Sequence, residues 1–268
     1  MNKHLESEGW SFVEKTTPTP IHRVLFLPGL WGSDVVFSKI LELKSLVDAN
    51  IDLIAANPPG FKGMPVPPGF DFRIESYADL IEKITMQKKI DLLVGHSFSG
   101  NVLIEIAARH RYDGKLMIIS PSLQRRDELK DLLKLDKYSR IPVVSNIIWF
   151  MVPGMMKKNF SPYFNDPKFL EAVVEDAKKV PSAHGKRTVI GFFDHIDKHD
   201  NLANRLVSTK VPVYYVRGEF DDVGFSEQNR ITLETNSLIR IFDIPGASHF
   251  AMVDKPTEIA GLIKQILA

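Results

Sequence analysis

Ser97 lies in the stretch Gly95-His96-Ser97-Phe98-Ser99-Gly100. A serine hydroxyl attacks carbonyl carbon when a turn projects it and a neighbouring base takes its proton. The apolar run Ile90–Val94, broken only by Asp91, reads as a buried strand, and Asn101–His110 reads as a mostly buried helix. That strand–turn–helix context gives the G-x-S-x-G spacing its meaning: the turn strains the serine backbone and lifts its hydroxyl above the sheet. Gly95 and the small residue at 99 let strand and helix pass closely. Ser99 stands where the pattern has its second glycine, with Gly100 one place later.

The serine needs a base and a group to orient that base. His249, in Pro245-Gly246-Ala247-Ser248-His249-Phe250, follows the last expected strand and is the candidate base. Asp221, in Gly218-Glu219-Phe220-Asp221-Asp222, follows the strand ending at Val216 and is the candidate acid; Asp222 is its rival, and Glu219 reads as solvent-facing. The chain order is Ser, Asp, His. His96 reads as a packing or hydrogen-bonding residue of the scaffold. His195 and His199, among Asp194, Asp197 and Asp200, have the i, i+4 spacing of a helix metal site. No glutamate follows the first histidine, so a solvated helix is the simpler reading and no metal is expected. Arg125-Arg126 reads as solvated surface.

These residues need elements to hold them. Trp10–Thr16, Arg23–Leu27, Asp52–Ala56, Leu116–Ile119, Val213–Val216 and Leu238–Ile244 read as further strands. Ser33 can cap a helix carrying Val36, Phe37, Ile40, Leu43 and Val47, and Ser76 with Asp79 resembles a capping box. A final helix starts near Pro256, with Ile259, Leu262, Ile263, Ile266 and Leu267 on one face. Strand–helix alternation predicts an α/β fold, a mostly parallel central sheet with helices on both faces and ligand sites at the carboxyl ends of its strands. The alternation stops at about residue 121 and resumes near 211. Residues 1–120 and 211–268 are therefore expected to form the core, and 121–210 an inserted helical lid. The apolar block Ile147–Val152, with Trp149 and Phe150, is expected to be a lid wall facing the pocket rather than a membrane-resting surface, with Met151, Met155 and Met156 making it adaptable.

Composition narrows the function classes. The 268 residues carry a net charge of +1, which points to neither nucleic acid nor an acidic membrane surface. The absence of cysteine excludes disulfides, thiolate catalysis and zinc–sulfur sites. Residues 1–8 have no apolar core, so no secretory signal, a cytoplasmic location and no stable membrane insertion are expected.

The sequence resembles the α/β-hydrolase superfamily over nearly the whole chain outside the lid. The resemblance rests on Pro28-Gly29-Leu30-Trp31-Gly32-Ser33, Asn57-Pro58-Pro59-Gly60-Phe61-Lys62-Gly63, the serine turn, Gly218–Asp221 and Gly246–Phe250. Pro28 replaces the histidine that commonly precedes the first-turn glycine, and Ser99 replaces the elbow glycine. The resemblance implies a Ser97–Asp221–His249 triad and an oxyanion hole made by the backbone N–H groups of Leu30 and Phe98. It leaves Trp31 and Phe98 as an apolar acyl site, with Trp149 and Phe150 of the lid as further substrate contacts. The implied activity is cofactor-free hydrolysis of a small to medium apolar carboxylic ester or thioester. Acyl transfer, carbon–carbon bond hydrolysis, perhydrolysis and a non-catalytic receptor remain open on the same fold.

Overall fold

The computed structural model of the chain describes residues 9–268, so the signal-peptide expectation for residues 1–8 lies outside the described residues. Seven strands form one sheet: β1 (Ser11–Lys15), β2 (His22–Leu27), β3 (Ile51–Asn57), β4 (Leu92–His96), β5 (Lys115–Ile119), β6 (Val213–Gly218) and β7 (Ile239–Ile244). Their order is β1-β3-β2-β4-β5-β6-β7, and only β1 runs antiparallel to its neighbour. Every residue of β3 and β4 is buried, which is why both read as largely apolar runs in which Asp52, Asn57 and His96 are the polar exceptions: a parallel strand covered by helices on both faces has no solvent-facing side. Leu27 pairs with Gly95, Gly95 with Ile118, and Ile119 with Val216, so the carboxyl ends of β2, β4, β5 and β6 are level.

From β2 the chain moves outward to β3, then returns to the other side of β2 as β4. The connections after β2 and β4 therefore diverge, opening a crevice at the carboxyl edge between them. The serine turn and the Pro28–Ser33 turn both sit there.

Helices α1 (Ser38–Leu41), α2 (Lys44–Val47), α3 (Ile74–Lys88) and α4 (Phe98–Arg109) cover the first half of the sheet. The single helix expected after Ser33 is in fact a 3-10 turn, Asp34–Phe37, followed by α1 and α2, because Leu43 adopts an extended conformation that ends the helix. Helix α3 begins at Ile74, upstream of the expected Ser76–Asp79 box; Ser76 instead donates to Asp71 Oδ1 at 2.6 Å.

Between β5 and β6 come α5 (Lys130–Ser139), α6 (Pro142–Phe160), α7 (Pro167–Lys178), α8 (Ser182–His199) and α9 (Leu202–Leu206). Helix α9 packs against α4 and against α10 (Glu227–Glu234), so it belongs to the helical layer of the core. The chain closes with α11 (Ala251–Asp254) and α12 (Pro256–Leu267). Trp149, Val152, Phe164 and Leu170 of the insertion are buried in the same hydrophobic cluster as the sheet.

Candidate active site

Ser97 stands between β4 and α4 with φ 50° and ψ −116°, a positive-φ conformation that costs a non-glycine residue about 1–3 kcal/mol. Its N–H donates to Ile119 O at 2.8 Å and its carbonyl accepts from Asn101 N at 3.1 Å, which anchor the turn to β5 and α4. Its side chain makes no helix-capping bond, so the hydroxyl stays available. The glycines have steric causes. A Cβ on Gly95 would stand 2.7 Å from Ser99 O, and one on Gly100 would stand 3.1 Å from both Ile118 Cγ2 and Pro121 Cβ.

The Asp–His pair is closed. His249 Nδ1 lies 2.8 Å from Asp221 Oδ1, with both side chains buried. A carboxylate only accepts, so Nδ1 carries the proton and Nε2 keeps its lone pair. Burial pushes the His249 pKa down, but the Asp221 carboxylate outweighs it and holds the imidazole above the usual histidine range. Burial pushes Asp221 up, and the bond and charge of His249 and the Val223 N–H (3.0 Å) bring it below the usual carboxylate range. Asp222 is exposed and accepts instead from the Tyr163 hydroxyl at 2.9 Å.

His96, directly before the serine, joins this pair to the elbow. Its Nε2 donates to His249 O at 3.0 Å, and the two rings lie 4.8 Å apart. Burial, then the charge of His249, holds the His96 pKa well below the usual range, so the ring is neutral. The Pro28–Ser33 turn arrives from the opposite side. Gly32 N donates to Gly29 O at 2.9 Å, and a Cβ on Gly29 would stand 2.8 Å from His96 Nδ1 and 3.1 Å from Ser97 Cβ. Ser99 Oγ donates to the Pro28 carbonyl, tying turn to elbow. Among the described residues, neither the Leu30 nor the Phe98 N–H has a backbone acceptor, and Phe98 begins α4, where N–H groups lack intrahelical partners.

The apolar residues divide differently from expectation. The Phe98 ring is 2 % exposed and packs on Phe61, Tyr77 and Phe192, as part of the core rather than of a pocket wall. Trp31, at φ 58°, meets the Trp149 ring edge-on at 5.7 Å. Trp149 is fixed by its indole N–H donating to Ser139 Oγ at 2.8 Å and by Gly185, where a Cβ would stand 2.6 Å from its ring. Phe150 points away from the site and is 86 % exposed; Met151 and Met155 are also exposed, and Met156 is buried. Each residue turns the helix by about 100°, so a continuous apolar run wraps around it, and Trp149 falls on the inner side while Phe150 falls on the outer one.

Sequence reasoning missed Tyr163, Phe160 and Phe164, which pack around Phe250 and His249 from the insertion. It also missed Asp176, which accepts from Ser33 Oγ at 2.8 Å and pairs with Lys62 (3.3 Å) and Lys179 (2.7 Å). Lys62 also binds Asp34 at 2.6 Å, so α7 is clamped to the turn after β2. Arg125 is not free surface: it pairs with Asp136 and Asp197 and lies over Phe193. His195 is not solvated. It is buried with Nδ1 3.4 Å from Glu75 Oε1 and Nε2 3.9 Å from Glu105 Oε2. Glu75, His195 and His199 each place a ligand-type atom within 4.8 Å of the others, but Lys198 already neutralises Glu75 and Arg205 neutralises Glu105.

Elbow, turn and Asp–His pair thus meet where parallel strands part, at the carboxyl edge of the sheet, which is the architecture of a hydrolase of the α/β class. The chain belongs to the Alpha/beta hydrolase family, which matches residues 24–262. Among solved structures, it is similar to an esterase from Exiguobacterium antarcticum (TM-score 0.75, 16% identity, 97% of this chain and 96% of that one). It is similar to a thermophilic esterase from Thermogutta terrifontis (TM-score 0.74, 17% identity, 96% and 92%). It is also similar to the enol-lactonase from Burkholderia xenovorans LB400 (TM-score 0.69, 14% identity, 96% and 96%). No curated protein matches the chain.

Proposed function

We propose that the protein is a serine hydrolase that cleaves a small to medium apolar carboxylic ester or thioester through an acyl-enzyme. The observation that carries this reading is the closed, buried Asp221–His249 pair, bonded through His96 to a strained serine elbow. His249 Nε2 takes the proton of Ser97 as Oγ attacks the carbonyl carbon, and Asp221 holds the ring and stabilises the imidazolium. The N–H groups of Leu30 and Phe98 receive the oxyanion; each such donor lowers the barrier by about 3 kcal/mol. The imidazolium returns its proton to the leaving oxygen or sulfur, and water activated by His249 then releases the acyl group. The helices between β5 and β6 act as a lid, with Trp31 and Trp149 on the acyl side. The two esterases and the enol-lactonase among the structural neighbours make carboxylic ester chemistry the first to try. Acyl transfer to an alcohol would use the same groups.

The test is labelling by a fluorophosphonate probe together with turnover of nitrophenyl esters and thioesters of graded chain length. Wild type is expected to label and turn over, and Ser97→Ala to do neither while keeping its circular dichroism spectrum. A folded wild type that fails to label would leave an inert, receptor-like fold.

A further inference from the structure

The outer face of α6 is the least explained surface of the molecule. Val143, Ile147, Phe150, Met151 and Met155 are 75, 59, 86, 51 and 47 % exposed. Their spacing of four, three, one and four residues puts all five on one helical face, while Trp149, Val152 and Met156 occupy the buried one. An apolar stripe of this size exposed to water marks a contact surface. No helix among the described residues is long and apolar enough to cross a membrane, so this one has length and hydropathy only for lying on a surface.

Charge says which surface. Between residues 130 and 160 the sequence holds six cations and two acids, in a chain of net charge +1. One of those acids, Asp136, is buried against Arg125 and Arg140. Lys157 and Lys158 close the C-terminal end of α6 and carry no ion pair among the described residues; Lys130, Lys134 and Lys137 are exposed on α5, which leads into it. A second copy docked by a two-fold axis would set this cationic rim against itself. An anionic bilayer offers both what the stripe lacks and what the rim attracts. We propose that α6 is a peripheral membrane-docking helix, its five apolar side chains entering the interface of an anionic phospholipid surface and its flanking lysines meeting the headgroups. Docking does not depend on the catalytic reading. If both hold, it would present the Trp31–Trp149 side of the molecule close beneath a lipid interface.

The test is co-sedimentation of the full chain with vesicles of phosphatidylcholine alone and of phosphatidylcholine mixed with phosphatidylglycerol, with light scattering of the protein alone. Wild type is expected to pellet with the anionic vesicles and to be released by salt. Phe150→Glu and the double variant Lys157→Glu/Lys158→Glu should each weaken binding by roughly tenfold or more. Because the chain has no cysteine, Phe150→Cys carrying an environment-sensitive fluorophore gives a second reading. Its emission should shift to the blue on anionic vesicles, while a label at Glu234→Cys should not respond. Wild type left in the supernatant, binding unchanged in Phe150→Glu, an unresponsive label at 150, or a dimer that Phe150→Glu dissociates would each overturn the proposal.

Discussion

Ser99 and Pro28 are two positions at which the chain departs from the motifs of the family, and they are bonded to each other. The Ser99 hydroxyl donates to the Pro28 carbonyl, bracing the Pro28–Ser33 turn against the elbow that carries Ser97. The serine at 99 is therefore a link between the two halves of the proposed oxyanion hole as well as a small residue that fits. Ser99→Ala leaves a buried carbonyl without its donor, which should cost about 1–3 kcal/mol of stability. If the brace also sets the oxyanion donors, kcat should fall with KM little changed; a drop in stability at unaltered kcat would reduce Ser99 to a structural bond. The Asp–His pair gives a second prediction. Because Asp221 holds the His249 pKa above the usual histidine range, kcat/KM should fall as pH drops through that raised value. Asp221→Asn should lower kcat by roughly 10⁴-fold and move the acid limb to lower pH, whereas Asp222→Asn, which removes only an acceptor for Tyr163, should do neither. The sign for stability is opposite: the raised pKa makes the His249 contribution complete below the unfolded value and lost as pH rises through the folded one.

At the scale of elements, α8 is held to α3 and α4 by a buried histidine set between two carboxylates. Burial pushes His195 down to about 4, outweighing Glu75 and Glu105. Unfolded His195 takes up its proton near pH 6.5, so between there and about 4 the unfolded chain binds more protons and stability falls with pH. Urea unfolding should show a loss of about 2 kcal/mol from this group between about pH 7 and pH 5, and His195→Gln should lack that part of the slope. An unchanged slope would mean that the buried ring is already charged. The sequence concealed this role because an i, i+4 histidine pair among acids has the same pattern on a solvated face as on a buried one. The inner strands of the parallel sheet were legible because burial on both faces leaves mostly apolar residues in them, and α12 because Pro256 marks its first turn. Ser97, Asp221 and His249 sit in short motifs next to strand ends, so their neighbourhood could be read from the chain. Helix α6 could not be oriented: apolar on every side, it has no period to say that Trp149 turns in and Phe150 out. Ser139, Tyr163, Asp176 and Gly185 gain their roles only from contacts made at long range.

For the whole molecule, the question is whether the helical insertion is a separable unit or part of one cooperative structure. Aromatic contacts bridge it to the sheet-bearing core, among them Trp31–Trp149 at 5.7 Å, Phe98–Phe192 at 5.9 Å and Phe164–Phe250 at 4.7 Å. The Lys62–Asp176 and Asp222–Tyr163 links add polar ties on two further sides. A unit that shares its apolar core with its neighbour has no interface along which to melt alone, because opening that interface exposes the cores of both. Unfolding should therefore be a single transition. Tryptophan fluorescence reports Trp10 beside the edge strand β1 and Trp31 and Trp149 at the seam, while far-UV circular dichroism reports all helices and strands; the two midpoints in urea should coincide. Phe192→Ala, which opens a cavity on the insertion side of the seam, should cost about 3–5 kcal/mol and lower both midpoints together. If instead the fluorescence transition separated from the circular dichroism transition in that variant, the insertion would be an independently melting lid, and access to Ser97 would be governed by its local unfolding.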